Sequence, residues 1–207
     1  FCKIKTLVAR AKEMGMKALA ITDHGVMFGV VDFYKECLNQ GIKPIIGCEV
    51  YMAERELTDK DPGIDRNNYH LILLAENNTG YKNLAKVVSK AYTEGYYYKP
   101  RVDYNVLRKY SEGIICLTAC IAGRVPQNLL RDDFEGAERE LLTLCDIYGK
   151  NNVYVELQDH GLMEEKKSNE GLIKLARKHD LKLVATNDAH YINKSDAGYH
   201  DILLCIQ

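Results

Sequence analysis

Several segments of the chain carry side chains that bind metal ions, and most of these segments directly follow an apolar run. They are Asp23-His24-Gly25, Glu49, Cys120, Asp159-His160-Gly161 and Asn187-Asp188-Ala189-His190. Imidazole nitrogen and carboxylate oxygen together suit Zn²⁺, Mn²⁺ or Fe²⁺, and a thiolate favours the softer zinc ion. Ions held by such ligands polarise a phosphodiester and generate hydroxide at neutral pH. The reaction class that this pattern indicates is hydrolysis of a phosphate ester.

Each of these residues also has a simpler interpretation. Asp-His-Gly is common in turns, where Asp caps the backbone and Gly takes a positive φ, and a cysteine such as Cys120 is more often a packed thiol than a ligand. His70 stands at the start of an apolar run rather than at its end, which favours a structural role, and His179 and His200 fall in helical patterns. Spacing alone therefore leaves both a metal site and a set of structural turns open.

Sequence motifs for other chemistries are missing. The chain has no GxxxxGK[ST] phosphate loop, no GxGxxG dinucleotide turn and no GxSxG nucleophile turn. The run Tyr-Tyr-Tyr-Lys-Pro-Arg at residues 96–101 combines aromatic and basic side chains that could stack on unpaired bases and pair with phosphate. Because the net charge is −1, with 28 basic and 29 acidic residues, we favour a proline-stiffened loop that packs its tyrosines.

Composition favours one soluble cytoplasmic domain over residues 1–207, with 46% hydrophobic and 28% charged residues. No apolar run approaches the roughly 18 residues that span a bilayer. The seven cysteines, without a C-x-x-C pair, indicate reduced thiols rather than disulfides. Because Phe1 leads at once into a helical pattern and Gln207 closes an apolar run, we expect a fragment of a longer protein.

Apolar runs of strand length alternate with amphipathic stretches, which is typical of β/α units that feed a parallel sheet. Six strands are predicted, at residues 18–22, 44–51, 70–75, 113–117, 153–157 and 182–186. Helices are predicted near residues 4–14, 30–38, 77–91, 134–148 and 164–179, and Asp132 with Glu135 fits a capping box for the fourth. Such folds carry function at the carboxyl ends of their strands, so the candidate ligands would meet at one mouth. The alternation fits an open doubly wound sheet and a closed barrel equally.

A series of motifs resembles the polymerase-and-histidinol-phosphatase (PHP) domain of bacterial DNA polymerase III alpha subunits. The motifs are AITDHG at residues 20–25, GIKPIIG at 41–47 with Glu49, His70-Leu71, NTGY at 78–81, YYKPR at 97–101, DHGL at 159–162 and ATNDAHY at 185–191. They occur in order through nearly the whole chain, which distinguishes the polymerase type from stand-alone histidinol phosphatases. The resemblance implies an α/β fold, a distorted (β/α)7 TIM-like barrel of the PHP type, with the first strand missing from this chain.

The resemblance further implies a site for up to three divalent ions, Zn²⁺, Mn²⁺ or Fe²⁺. Matched motif by motif, the implied metal ligands are His24, Glu49, His70, Cys120, Asp188 and His190. Asp188, His190 and His24 are the expected catalytic residues, and Asp23 and His160 are expected to support the ligands. The His-x-His motif and the Asp that open the family's domain have no match in residues 1–20, so this chain is expected to hold at most one ion.

The implied parent protein is a DNA-directed DNA polymerase whose palm, fingers and thumb lie beyond residue 207. Its PHP domain is expected to be a metal-dependent phosphoesterase that acts as a 3′–5′ proofreading exonuclease. Two alternatives stay open: a metal-stabilised scaffold that stiffens the polymerase and docks a separate exonuclease, and a stand-alone PHP phosphatase.

The expected partners are a DNA primer-template, the sliding clamp and a proofreading subunit, with no membrane. Lys99 and Arg101 are the candidate nucleic-acid contacts. The fragment alone is expected to be inactive, and its missing strand predicts either a dimer across the gap or a disordered first helix.

Overall fold

The structure is a computed structural model that describes residues 2–206, so Phe1 and Gln207, the two predicted fragment ends, lie outside the described residues. The strands are β1 (Ala18–Ile21), β2 (Lys43–Ala53), β3 (Asn68–Ala75), β4 (Tyr96–Tyr97), β5 (Lys99–Val102), β6 (Ile114–Leu117), β7 (Val153–Leu157) and β8 (Lys182–Ala185). The helices are α1 (Ile4–Glu13), α2 (Val30–Gln40), α3 (Asn78–Thr93), α4 (Tyr104–Lys109), α5 (Arg124–Leu130), α6 (Phe134–Tyr148), α7 (Met163–His179) and α8 (Ala197–Leu204). None of these helices is long and apolar enough to cross a membrane.

The chain divides into two compact units. The first contains the residues up to 21, residues 28–46 and the residues from 188 onwards, and the second contains residues 22–27 and 47–187. The single domain expected over residues 1–207 stays a prediction.

The first unit is built on one parallel strand pair covered by two helices. Strand β1 runs parallel to the first four residues of β2, with Ala18 opposite Lys43 and Ile21 opposite Ile46. The 3/4 spacing of apolar residues in α1 places one stripe against α2. The core of this unit is Val8, Ala11, Phe33, Cys37 and Ile42. The first helix is thus formed, and of the two outcomes expected from a missing strand only dimerisation stays a prediction.

The second unit contains the rest of the sheet, in the order β4-β5-β2-β3-β6-β7-β8. Strand β3 is antiparallel to both neighbours, β2 and β6, whereas the β2–β5, β6–β7 and β7–β8 pairs are parallel. The expectation of a purely parallel sheet is therefore wrong at β3. The chain between β2 and β3 is a loop without a helix, and such a connection suits antiparallel rather than parallel neighbours.

All six predicted strands and all five predicted helices are present. The hairpin β4–β5 was predicted as a loop, because strands of two and four residues are too short to show a period. The capping box at Asp132 and Glu135 is wrong by one residue. Asp133 caps α6 by accepting a hydrogen bond from the N–H of Gly136 at 2.7 Å, while Asp132 takes a left-handed φ of 63°.

Helix α3 begins where two glycines meet, and this contact gives a testable prediction. A Cβ at Gly80 would lie 1.7 Å from the carbonyl oxygen of Gly113. Because backbone cannot retreat as a flexible side chain would, Gly80→Ala is expected to lower the free energy of unfolding by about 3 kcal/mol. Urea denaturation followed by circular dichroism measures this change. Gly198→Ala is the control, since nothing lies within 4 Å of its added Cβ, and an equal effect of both variants would contradict the prediction.

Candidate metal centre

The Asp23-His24-Gly25 turn is tied to strand β2 by its backbone. The N–H of Gly25 donates to the carbonyl of Glu49 at 2.8 Å, and the N–H of Glu49 donates to the carbonyl of Asp23 at 3.1 Å. Gly25 has a φ of 65°, and a Cβ there would lie 2.9 Å from Cγ of Pro100, so both backbone and space require glycine. This turn places the His24 side chain beside that of Glu49.

His70 reaches the same place from the neighbouring antiparallel strand. The register of β2 and β3 puts Tyr51 opposite His70, so the start of β3 lies beside the end of β2. The argument that a residue at the start of a strand is structural holds only for parallel neighbours. It fails for His70 because β3 runs in the opposite direction.

Cys120 lies in the loop after β6, next to His70. Its Sγ is 3.5 Å from Nδ1 of His70, and the N–H of His70 donates to the carbonyl of Ala122 at 3.0 Å. Ala119 directly precedes Cys120 with a φ of 64°, which is uncommon for a residue with a Cβ. Such strained backbone occurs most often at functional sites.

The ligand atoms of His24, Glu49 and His70 all lie within 4.8 Å of one another. Nδ1 of His24 is 3.2 Å from Oε1 of Glu49, and Nδ1 of His70 approaches the same oxygen. This oxygen is buried without a hydrogen bond of suitable geometry, although two ring nitrogens face it. Two imidazoles and one carboxylate are a donor set that binds zinc and other divalent ions in proteins. The three residues therefore fit a divalent metal ion.

The family model described as the PHP domain matches residues 1–160. The chain belongs to the PHP family. It is 47% identical to DNA polymerase III subunit alpha of Borreliella burgdorferi, over 99% of this chain and 18% of that protein. It is 44% identical to the Thermus aquaticus protein of the same name, over 99% of this chain and 17% of that protein. The chain thus spans less than a fifth of the length of these relatives.

Solved structures with the same fold have little sequence in common with this PHP chain. A protein from Bifidobacterium adolescentis, assigned as a metal-dependent phosphoesterase, superposes with a TM-score of 0.58 at 14% identity, over 99% of this chain and 91% of that one. An amidohydrolase from Chromobacterium violaceum gives a TM-score of 0.57 at 15% identity, over 91% and 82%. Together with the family match, these likenesses confirm the predicted α/β fold of the PHP type.

Glu49 of this PHP chain is ionised at neutral pH. Burial alone would raise the pKa of Glu49. The imidazoles of His24 and His70 beside its carboxylate have the larger, opposite effect and lower this pKa to about 2. The adjacent Cys48 behaves in the opposite way, because burial raises the pKa of its thiol to about 12. Its Sγ contacts the carbonyl of Asp23 at 3.3 Å, so Cys48 supports the turn and does not present a thiolate.

The remaining predicted PHP ligands, Asp188 and His190, belong to the first unit. Nδ1 of His190 is 2.8 Å from the carbonyl oxygen and 3.7 Å from the carboxylate of Asp188, whose φ is 45°. The ring of His200 lies 5.4 Å from that of His190. The structural role predicted for His200 from its helical position stays a prediction. The metal-binding and catalytic roles of Asp188 and His190 stay predictions.

His160 connects two loops of the PHP chain rather than joining the ligand group of His24. Its Nδ1 is 2.6 Å from Oε1 of the buried Glu165, and its Nε2 is 2.8 Å from the carbonyl oxygen of Asn187. Asn187 directly precedes Asp188, so these contacts fix the start of that segment. The supporting roles expected of His160 and of the Asp23 side chain stay predictions.

Tyr51 is a residue of this PHP site that the sequence reasoning missed. Its ring is stacked 6.2 Å from that of His24 and lies edge-on to His70 at 5.4 Å. Nζ of Lys99 lies 5.5 Å from the Tyr51 ring centre, which brings one predicted nucleic-acid contact near the ligands. Strand periodicity could have found Tyr51, because it follows Glu49 by two residues and alternate residues share a face.

The other predicted nucleic-acid contact, Arg101, is wrong. Its side chain is fully buried and donates hydrogen bonds to the carbonyls of Gly95, Asp65, Leu57 and Asp59 at 2.8–3.1 Å. A guanidinium enclosed in this way cannot reach a phosphate in solvent. No local pattern indicated this burial, because charged residues are almost always exposed unless they are paired.

Proposed function

We propose that this chain is the metal-dependent phosphoesterase domain of a replicative DNA polymerase alpha subunit. In the full-length polymerase, the domain removes nucleotides from the 3′ end of DNA. The observation that carries this proposal is the buried Glu49 oxygen that faces the Nδ1 atoms of His24 and His70. The similarity to polymerase III alpha subunits along nearly the whole chain supports the DNA substrate.

The residues of this chain prepare the site for a phosphodiester. Glu49 contributes a carboxylate that is charged at neutral pH, and His24 and His70 each direct a ring nitrogen to it. Tyr51 packs against both imidazoles and restricts their rotation, while the exposed Lys99 supplies a positive charge on the Tyr51 side. A divalent ion, when bound, supplies Lewis acidity and lowers the pKa of a water molecule.

The wider assignment follows from the same proposal. The three-residue group fits one ion, and up to three ions are expected once Asp188, His190 and the family's first motif contribute. The proposed partners are the DNA primer-template, the sliding clamp and a separate proofreading subunit, and the proposed location is the cytoplasm.

The test measures metal content by mass spectrometry and nucleotide release from a labelled primer, with and without chelator. The full-length polymerase is expected to release nucleotides in a chelator-sensitive manner, whereas the 207-residue chain is expected to bind at most one ion and release none. Metal binding that raises the melting temperature of the full-length polymerase without any nucleotide release would favour the scaffold function instead. Full activity of the 207-residue chain would contradict the shared multi-metal site.

A further inference from the structure

The tip of the β4–β5 hairpin holds an exposed tyrosine in a strained conformation. Tyr97 pairs with Lys99, so Tyr98 alone forms the turn, with a φ of 60°. Glycine would adopt this φ without strain, and a bulky side chain adopts it rarely. The Tyr98 side chain is nevertheless 57% exposed, so it gains little from burial. Strained and exposed aromatic residues of this kind are more typical of binding sites than of folding cores.

Two neighbours hold the Tyr98 ring in place. The guanidinium carbon of Arg66 lies 4.8 Å from the ring centre, and the Tyr97 ring meets Tyr98 edge-on at 4.7 Å. Arg66 is itself exposed. An aromatic ring beside an exposed guanidinium offers both components by which proteins bind unpaired nucleotides, a surface for a base and a cation for its phosphate.

The tip carries two exposed cations, Arg66 and Lys99. Arg55 pairs with Asp65 at 2.6 Å and with Asp59 at 3.7 Å, so both carboxylates have their cation partner within their own loop. Arg66 and Lys99 form no ion pair within residues 2–206, which leaves two cations for an incoming phosphate.

Lys99 links the tip to the metal centre. It directly follows Tyr98, and its Nζ lies over the ring of Tyr51, which contacts His24 and His70. A nucleic-acid strand that contacts the tip would therefore meet the Lys99 cation between the tip and the ligand group.

We propose that Arg66, Tyr98 and Lys99 form a strand-binding surface for single-stranded DNA and lead its 3′ end to the metal centre. Tyr98 stacks on an unpaired base, and Arg66 and Lys99 bind backbone phosphates. The inference rests on the proposed function, since it names the part of the protein that selects a DNA strand over a small phosphate ester.

Kinetics on two substrates test this surface in the full-length polymerase. One substrate is a single-stranded oligodeoxynucleotide and the other is bis(p-nitrophenyl) phosphate, which has a phosphodiester but no nucleotide base. Tyr98→Ala is expected to raise KM for the oligonucleotide about tenfold or more. This rise in KM should be at least tenfold larger than any rise in KM for the small ester. Tyr98→Phe should restore the oligonucleotide KM because it keeps the stacking face, and Arg66→Ala should weaken the dependence of KM on salt.

The matched control is Tyr96→Ala. Tyr96 lies in the same hairpin and is 52% exposed, but its ring neighbour is Tyr92 at 6.1 Å rather than a cation. Equal KM changes for Tyr96→Ala and Tyr98→Ala would overturn the surface, and so would an equal loss on both substrates. A larger loss on single-stranded RNA than on DNA would overturn the assignment to DNA.

Photo-crosslinking separates failure of this inference from failure of the proposed function. An oligonucleotide that carries 5-iododeoxyuridine near its 3′ end is expected to crosslink at Tyr98, whether or not the protein hydrolyses it. If neither substrate is hydrolysed in a chelator-sensitive manner, the proposed function fails while a Tyr98 crosslink still supports the surface. Crosslinks confined to other segments would overturn the surface even if hydrolysis is found.

Discussion

Replacing Glu49 by glutamine is expected to remove bound metal and to lower the rate of phosphodiester hydrolysis by about 100-fold or more. Both ring nitrogens of the ligand group face the same Glu49 oxygen, which is buried and negatively charged. The amide has nearly the same size as the carboxylate, so the packing is kept. It removes the charge that attracts a divalent ion, and this loss is largest in a buried site.

Metal content and hydrolysis of a labelled primer by the full-length polymerase measure this effect. The matched control is Glu138→Gln, because Glu138 also contacts a histidine, His179 at 2.5 Å, together with Lys178 at 2.7 Å. The control is expected to keep its metal and its rate. Wild-type metal content in Glu49→Gln would mean that Glu49 is not a ligand.

The Arg101→Met variant is expected to lower the free energy of unfolding by about 4 kcal/mol. Arg101 has the largest fully buried side chain of the described residues, and its guanidinium satisfies four backbone carbonyls. Methionine fills part of the volume but donates no hydrogen bond. Each buried carbonyl that loses its donor costs about 1–3 kcal/mol, and partial access of water reduces the sum.

Urea denaturation of Arg101→Met and of Lys99→Met checks this value. Lys99 lies two residues earlier on the same strand and is exposed, so its variant is expected to stay within about 0.5 kcal/mol of the wild type. A similar small change for Arg101→Met would show that the buried hydrogen bonds contribute little.

The strands of this fold could be predicted because their apolar runs are long enough to show burial. The relative direction of neighbouring strands could not be predicted, since the apolar runs at β2 and β3 have the same pattern whether the strands are parallel or antiparallel. This one ambiguity explains why strand direction favoured a structural role for His70, whose metal-binding role stays a prediction. The hairpin at Tyr96–Tyr97 and Lys99–Val102 was missed for a different reason, because strands of two and four residues are too short to show a period.

The candidate site was predicted in part by spacing, which named His24 and Glu49, and in part by motif resemblance, which added His70. The resemblance named His24, Glu49 and His70, whose ligand atoms the structure brings together. Spacing alone left Cys120 a packed thiol and gave Arg101 a surface role. Both judgements rest on average burial for a residue type; Arg101 departs from that average, and the ligand role of Cys120 stays a prediction.

The anchoring of the loop between β2 and β3 has a consequence for the order of folding. The guanidinium of Arg101 reaches back 44 residues to Leu57 and 36 residues to Asp65, and the Asp103 carboxylate reaches back 46 residues to the N–H of Leu57. Contacts of such sequence separation form slowly. During synthesis this loop and His70 are made before Arg101 exists. The loop therefore becomes ordered only after β5 has been made, and a released chain truncated before residue 101 is expected to leave this loop open to protease.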